Sequence, residues 1–557
     1  MKRLILLTVL IAGCSRGPSA LVIPPAPPKP IAARNLGSDP WVIRQSIDNP
    51  KATVFVGGNG KGTRLDMHGD AVSTIDSRNY DAKERIKRVG ASAQTGSAMQ
   101  KVELDFRTGA YKFIGTHMVA EWVFDPQSNR VRSRRRSVTP TSNRQNPPDR
   151  EFDDVLSRNR KLNQLNADIE IDGPVADQQA LRSFLWAMRT LGTSPKTPPA
   201  PPFGASSDLY DGHLFWDADV WMLPVQAFFN PAQARAIADY RLQRLSAAQR
   251  NAREHGARYP WQSGTTGREL ASLPFTEELH ISGDVAWGLK FAASLGLADR
   301  TRAQMVTDLV GEFYRSRMTK RPDGLFDLKK VLGHDEYKKT DNDLVTNVLA
   351  QWTLNGGRWE IPAQRPQLYL PRDRTTFLTY EGDRQITYKQ AAAVLSIFPF
   401  QFPAAEREAP AMMKRFASAT DPNGPAMTEA IYATIWARLG DPERAYTEWR
   451  QAWTDFTANQ PLLHFSEVRK QDRAYFMTGA AGCLQTVLYG FAGFRIDYRK
   501  EPDAAWTKKL REGKWLSVKP RLPRAWKRMT LKNLILFGQR YTLIITHNGV
   551  LVKQGDR

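Results

Sequence analysis

With only two cysteines in 557 residues, Cys14 and Cys483, the chain has no disulfide framework to draw on for stability. Its first apolar run, residues 4–12, is too short to cross a bilayer as a helix. None of the eight histidines falls at the His-Glu-x-x-His spacing, so no metal is expected. A Gly-x-Ser-x-Gly elbow for a serine nucleophile is also missing. The glycines between 57 and 62 fail as a phosphate loop, because Gly62 follows Lys61 where Ser or Thr is required. No cofactor is expected. The net charge of +22 invites a nucleic-acid partner, but the densest basic stretch, 130–161, has no aromatic ladder for base stacking. With Arg132, Arg134, Arg135 and Arg136 it reads as a solvated loop resting on an anionic cell surface.

What is present begins with an export signature. Lys2 and Arg3 precede the apolar run, and Leu10-Ile11-Ala12-Gly13-Cys14 resembles a bacterial lipobox, with Cys14 as the lipidation site. Residues 1–14 are therefore expected to be a signal segment and 15–35, rich in proline, an extended tether. The expected product is an exported, membrane-anchored lipoprotein.

Period-two alternation dominates the next segment. Val102, Leu104 and Phe106 alternate with polar residues, Thr108-Gly109 turns the chain, and Tyr111 and Phe113 resume the pattern. This predicts a β-sandwich over 36–175. Between 176 and 497 the period becomes helical, punctuated by Asn230-Pro231, Gly296 with Asp299, and Gly440 with Asp441-Pro442. Repeated helix, stop and cap predicts stacked helical hairpins, as a solenoid or a closed toroid. Past 498 strands return, and Asn548-Gly549 signals a hairpin in a small C-terminal β-domain.

Three loop-like clusters interrupt the helical part. Tyr210-Asp211-Gly212-His213-Leu214-Phe215-Trp216-Asp217 interleaves aromatics with carboxylates, which suits the apolar faces and hydroxyls of a sugar. Gly333-His334-Asp335-Glu336-Tyr337 reads alone as a capped helix start. Lys389-Gln390 enters an apolar helix expected over 391–398.

Taken together, the clusters resemble glycoside hydrolase family 65 from about 206 to 494. Gly212-His213-Leu214-Phe215-Trp216-Asp217, Glu278-Leu279-His280-Ile281, Gly333 to Tyr337 apart from His334, and Lys389-Gln390-Ala391 carry the likeness. The resemblance implies an (α/α)6 barrel between two β-domains and an inverting hydrolysis of an α-glucosidic bond, releasing β-glucose. It makes Glu336 the general acid and Glu467 the general base. Trp216, Asp217, Trp261, Gln262, Lys389 and Gln390 become substrate-binding residues. The acid has to carry its proton near neutrality, so a partly desolvated Glu336 is expected. Family phosphorylases bind phosphate on paired serines, where Gly424-Pro425-Ala426-Met427-Thr428 stands here, so hydrolysis is favoured over phosphorolysis.

Some positions depart from the pattern. Gln262 replaces a glutamate, His334 a proline, and Ser466-Glu467-Val468 stands for Thr-Glu-Asn, with Asp472 as an alternative base. These changes keep a non-catalytic sugar-binding lipoprotein open, and helical toroids also serve polysaccharide lyases. Lys329, Lys330, Lys338 and Lys339 near the acid read as a solvated face, or as a device for attracting an anionic glycan.

Overall fold

A computed structural model describes residues 36–555 apart from 49–51, 59–60, 77–85, 89–98, 138–148, 191–198, 208, 363, 470–474, 501, 503–505 and 509–512. Cys14, the tether and Asp472 lie outside the described residues. The protein is mostly helical, flanked by β-sheets at both ends.

The N-terminal part stacks a five-stranded antiparallel sheet on a four-stranded one. The alternation read from the sequence sets its register, with Val102 opposite Phe113 and Leu104 opposite Tyr111, all four buried. Shifting the register by one residue would turn this apolar set into solvent. The two sheets meet where Gly58 lies against the Phe124 ring and Trp122 Nε1 donates to Gly69 O (3.1 Å). Where it is described, the arginine-rich stretch 130–161 is not a loop. Arg130–Ser137 forms the edge strand, and Arg150–Leu165 is a helix capped by Asp149. Ion pairs make this possible, because Arg134 bonds Glu121 and Asp153 (both 2.6 Å) and Arg132 bonds Glu151 (2.6 Å). Charge on an edge strand also discourages pairing with other chains.

In the helical part, six segments are almost wholly buried: 217–229, His280–Ser294, Leu344–Leu354, Ala393–Ser396, Glu429–Arg438 and 477–491. Each of the first three packs on the next. The Arg438 guanidinium covers the Phe398 ring at 4.6 Å and links the fourth to the fifth. The sixth packs on the fifth and returns to the first, where Gln485 Nε2 donates to Val220 O (2.8 Å) and Trp221 O (2.7 Å). The ring therefore closes. Five longer helices back it: Val175–Thr190, Pro231–Gln243, Arg300–Arg317, Pro403–Phe416 and Pro442–Thr457.

The expected stops and caps operate as read. Asp299 accepts from Arg302 N (2.7 Å), and Asp441 from Arg444 N (3.0 Å). Residues 391–398 form only a short 3-10 turn, Ala393–Ser396, instead of a helix. Pro399 has no N–H to extend the ladder, and it restricts the residue before it. Gly283 and Gly311 allow close packing, since a Cβ on Gly283 would strike Leu349 and one on Gly311 the Thr353 carbonyl.

The C-terminal sheet contains a strand from far upstream. Asp168–Asp172, which the sequence places with the N-terminal part, pairs antiparallel with Arg528–Leu536. The Asn548-Gly549 hairpin joins Gln539–Thr546 to Gly549–Gln554 in the same sheet.

One buried ion pair ties the inner ring to its outer layer. Arg241 donates from Nη2 to Asp219 Oδ2 (2.5 Å) and to Phe215 O (3.1 Å), and both charged side chains are 1% exposed. Removing one partner strands a charge in the core. Arg241→Ala should cost about 3 kcal/mol or more in denaturant unfolding. A loss below about 1 kcal/mol, the scale of a surface pair, would show that this link does not hold the layers together.

Candidate active site

The acid turn starts as a short hairpin, Val331–Leu332 paired with Lys339–Thr340. Gly333 is required there, because a Cβ would strike the Asp343 carboxylate. Glu336 is held at φ +55°, a left-handed conformation that costs a non-glycine residue roughly 1–2 kcal/mol. The surrounding structure has to impose it. Asp335 accepts from Lys389 N (2.7 Å) and Gln385 Nε2 (2.9 Å), and Gln390 Nε2 donates to His334 O (2.5 Å). Burial pushes the Asp335 carboxyl up to about 6, with those hydrogen bonds opposing it.

Glu336 has a side chain only 9% exposed, consistent with the desolvation expected of it. Lys389 Nζ bonds Oε2 directly, and Gln390 Nε2 lies 3.4 Å from Oε1. The two residues expected to hold a sugar ring thus also hold the acid. Burial opposes the Lys389 charge, yet Glu336 first, then Glu278 and Glu467, raise its ammonium above the ordinary value.

Glu467 stands on a different support. Ala426 N donates to its carbonyl (2.8 Å), and Ser466 N donates to Phe456 O (2.8 Å). Tyr210 Oη donates to Oε1 (2.6 Å). Asp217, first residue of a π-helical turn, lies within electrostatic reach of both glutamates and accepts from Thr478 Oγ1 (2.5 Å). Burial pushes Asp217 up to about 7; the Thr478 bond opposes this, and the charges of Glu336 and Glu467 add to it. Glu336, Glu467, Asp217, Lys389 and Gln390 therefore form one cluster.

Other expected sugar contacts are placed differently. Trp216 is 2% exposed, with its ring edge-on to His280 (5.7 Å) and His334 (4.9 Å), so it supports the floor and offers no open stacking face. Trp261 is half-buried, stacked on Phe275 at 4.4 Å and edge-on to Phe215 at 4.9 Å. The Gln262 amide nitrogen meets His213 Nδ1 at 2.6 Å. Glu269 accepts from the backbone of Trp261 (3.0 Å) and Gln262 (3.3 Å), which fixes that segment. Of the four lysines, Lys339 pairs with Glu277, Lys329 lies 3.6 Å from Asp327, and Lys338 covers Tyr380 at 5.3 Å. Three of their charges are thus engaged within the protein, which favours the solvated-face reading over capture of an anionic glycan.

Sequence reasoning placed Tyr210 in the first sugar-binding cluster without its link to Glu467, and missed Thr478 and Asp284 as parts of the site. Only Asp284 left a local signal, four residues after His280 and hence on the same helix face. His280, Asp284 and His334 bring possible metal-ligand atoms within 4.8 Å of one another. The two imidazoles stack at 3.5 Å and 26°, however, so their in-plane lone pairs do not converge on one point. Hydrogen bonds account for this cluster better than a metal ion.

Residues 188–365 match the Glycosyl hydrolase family 65 central catalytic domain, and 510–557 match the Glycosyl hydrolase family 65, C-terminal domain. A kojibiose hydrolase of Mucilaginibacter mallensis is 31% identical over 395 residues, covering 66% of this chain and 55% of that protein. A protein-glucosylgalactosylhydroxylysine glucosidase of Mus musculus is 31% identical over 363 residues, covering 59% and 52%. The chain thus spans about half the length of these curated relatives. A solved structure named for a kojibiose phosphorylase from the human microbiome shares the fold. It has a TM-score of 0.68 at 15% identity and covers 95% of this chain and 97% of that one.

Asp217 gives a pH test of the pocket's electrostatics. Folding raises its value from 3.8 to about 7, so the folded chain keeps a proton that the unfolded chain releases. The stabilisation is fully present below the ordinary value and is lost as pH climbs from about 4 to about 7, roughly 4 kcal/mol in all. Unfolding midpoints of wild type and Asp217→Asn across this range should converge at low pH and separate at neutrality, with the variant the more stable. Parallel curves would remove the electrostatic account.

Proposed function

The chain carries the central catalytic and C-terminal domains of glycosyl hydrolase family 65, and from that premise we propose that it hydrolyses an α-glucosidic bond with inversion. One observation carries the reading: Asp217 and Lys389 each lie within electrostatic reach of both Glu336 and Glu467, although the two glutamates hang on separate loops. The closed ring of six buried segments, backed by outer helices, supports an (α/α)6 barrel.

The two glutamates take opposite roles. Glu336 is the acid, on a buried turn gripped by Lys389 and Gln390. A bound glucose competes for the Lys389 ammonium through its hydroxyls and expels water, and both effects favour the protonated acid. As the bond breaks, that proton passes to the glycosidic oxygen. Glu467, half-buried and oriented by Tyr210, takes a proton from the water that attacks the opposite face of the ring. The carboxyls must stand on the order of 6.5–9.5 Å apart to admit that water. Asp217, driven towards neutrality by its surroundings, can both donate and accept at a sugar hydroxyl.

The segment standing where phosphorylases bind phosphate supports water as the acceptor. Ala426 N is used on the Glu467 carbonyl, and Thr428 Oγ1 accepts from Ala391 N (2.9 Å). Gly424 is pressed against the Lys389 carbonyl, leaving no room for a side chain such as serine.

Incubation with kojibiose, nigerose, maltose, trehalose and glucosyl-galactosides, followed by proton NMR, tests this proposal. β-Glucose should be released without phosphate, and Glu336→Gln and Glu467→Gln should each lose about 10²–10⁴-fold in kcat. Glucose 1-phosphate formed only with added phosphate would indicate a phosphorylase, an ultraviolet-absorbing product a lyase, and binding without turnover a sugar-binding module. Export and lipidation at Cys14 belong to the same proposal. Labelled palmitate should enter the wild-type chain in cells, and an equally labelled Cys14→Ser variant would remove the anchor.

A further inference from the structure

Behind the acid turn lies a buried set of groups that the proposed mechanism does not use. Glu278 precedes the helix His280–Ser294, His280 opens it, and Asp284 follows one turn later. All three are 1% exposed or less. His280 meets a carboxyl at each ring nitrogen, Asp284 Oδ2 at Nδ1 (2.7 Å) and Glu278 Oε2 at Nε2 (3.1 Å). Glu278 Oε1 is buried without a hydrogen-bond partner among the described residues. His334, standing where the family pattern has proline, stacks on His280 and places Nε2 3.4 Å from Asp284 Oδ1.

Each hydrogen bond needs one proton, so the two contacts at His280 hold two protons among three groups. One arrangement is an imidazolium between two carboxylates, with three buried charges. The other is a neutral Glu278 donating O–H to Nε2 while Nδ1–H donates to Asp284, with one buried charge. Solvent is excluded, so the arrangement with one charge is favoured. His334 decides which acid keeps that charge. Its Nε2–H gives Asp284 a second donor, which Glu278 lacks.

We propose that Glu278 is a positioning acid held neutral behind the pocket by the Asp284–His280 pair, so that the Lys389 charge is committed to Glu336. The charged groups around it agree. Burial, then Glu336, hold its carboxyl well above the usual range; Lys389 opposes this, and Asp284 and Glu269 reinforce it. A second carboxylate there would compete for the ammonium and loosen the acid turn. His334 thus replaces the rigidity of a proline with a hydrogen bond that stabilises the relay.

The kinetic arm of the test rests on the hydrolase reading; the spectroscopic arm does not. Glu278→Gln keeps a neutral side chain that can donate N–H to His280. Its kcat at neutral pH should stay within about threefold of wild type, with the alkaline limb of the pH profile moved upward. A fall of about 100-fold at every pH in a folded variant would mean that Glu278 works as an anion, overturning the proposal. Independently, difference infrared spectra of wild type against the variant at neutral pH should show a protonated-carboxyl stretch lost on substitution. Loss of a carboxylate band instead overturns the proposal whether or not any glycoside is cleaved. If that variant fails to fold, the same difference spectrum taken with Glu278→Asp decides it: a protonated-carboxyl stretch that changes frequency supports the proposal, and a change confined to a carboxylate band overturns it.

Discussion

A single ammonium, that of Lys389, has to answer for several carboxyls at the centre of a ring of buried helices. Glu336, Glu278 and Glu467 all act on it, and burial alone would strip its charge. Opposite charges in such a place need close partners, because solvent does not screen them. Much of the local architecture follows from this requirement. The backbone N–H of Lys389 binds Asp335, the neighbouring Gln390 binds the carbonyl of His334, and Glu336 is thereby forced into its left-handed conformation. Burial, with the charges of Glu336 and Glu467 adding to it, pushes Asp217 up to about 7 in the same surroundings. Two of the neighbouring acids, Asp217 and Glu278, are accordingly held above the usual carboxyl range, burial being the first cause in each.

The second carboxylate draws its support from outside the ring. The segment that leads to Glu467 passes under the N-terminal sheets, where Leu462 N donates to Gln45 Oε1 (3.0 Å) and Ser183 Oγ donates to Leu462 O (2.9 Å). Beyond it, Phe55 N donates to Tyr475 Oη (3.2 Å), and the Tyr475 ring lies 3.8 Å from that of His464. Leu462 and Leu463 both take positive φ values, strain that tertiary contacts have to offset. The sandwich therefore acts as a brace for the loop bearing the proposed base. The acid, by contrast, is braced wholly from within the ring.

Features set by short-range chemistry were legible in the sequence. Helix caps at Asn230, Asp299 and Asp441, the Asn548-Gly549 hairpin and the alternation of Val102 to Phe113 each depend on residues a few positions apart. Features set by distant partners were not. Asp168–Asp172 reads as an ordinary strand, and only the arrival of Arg528–Leu536 assigns it to a sheet. The basic run 130–137 reads as a loop until Glu121, Glu151 and Asp153 neutralise its arginines. In the site, Glu336, Lys389 and Gln390 could be named because they sit in contiguous motifs. The pairings of Tyr210 with Glu467 and of Thr478 with Asp217 could not, since the partners are about 260 residues apart in sequence. Trp216 shows the limit from the other side, because composition suggests a stacking platform and burial makes it a floor.

The two glutamates also differ in how freely they can exchange protons, and this bears on the direction of the chemistry. Glu336 is fixed by groups that donate to it, so in the proposed mechanism a proton on it competes with Lys389 and Gln390 for the same carboxyl. A sugar that draws off the ammonium relieves this competition, which couples protonation of the acid to occupancy of the pocket. Glu467, the proposed base, is half-buried and accepts a hydrogen bond from the exposed Tyr210. A base so placed can pass its proton to bulk water once the products have left. On the proposed roles, proton uptake by Glu336 is thus coupled to the sugar, while proton release from Glu467 is left to solvent, an asymmetry suited to transfer onto water.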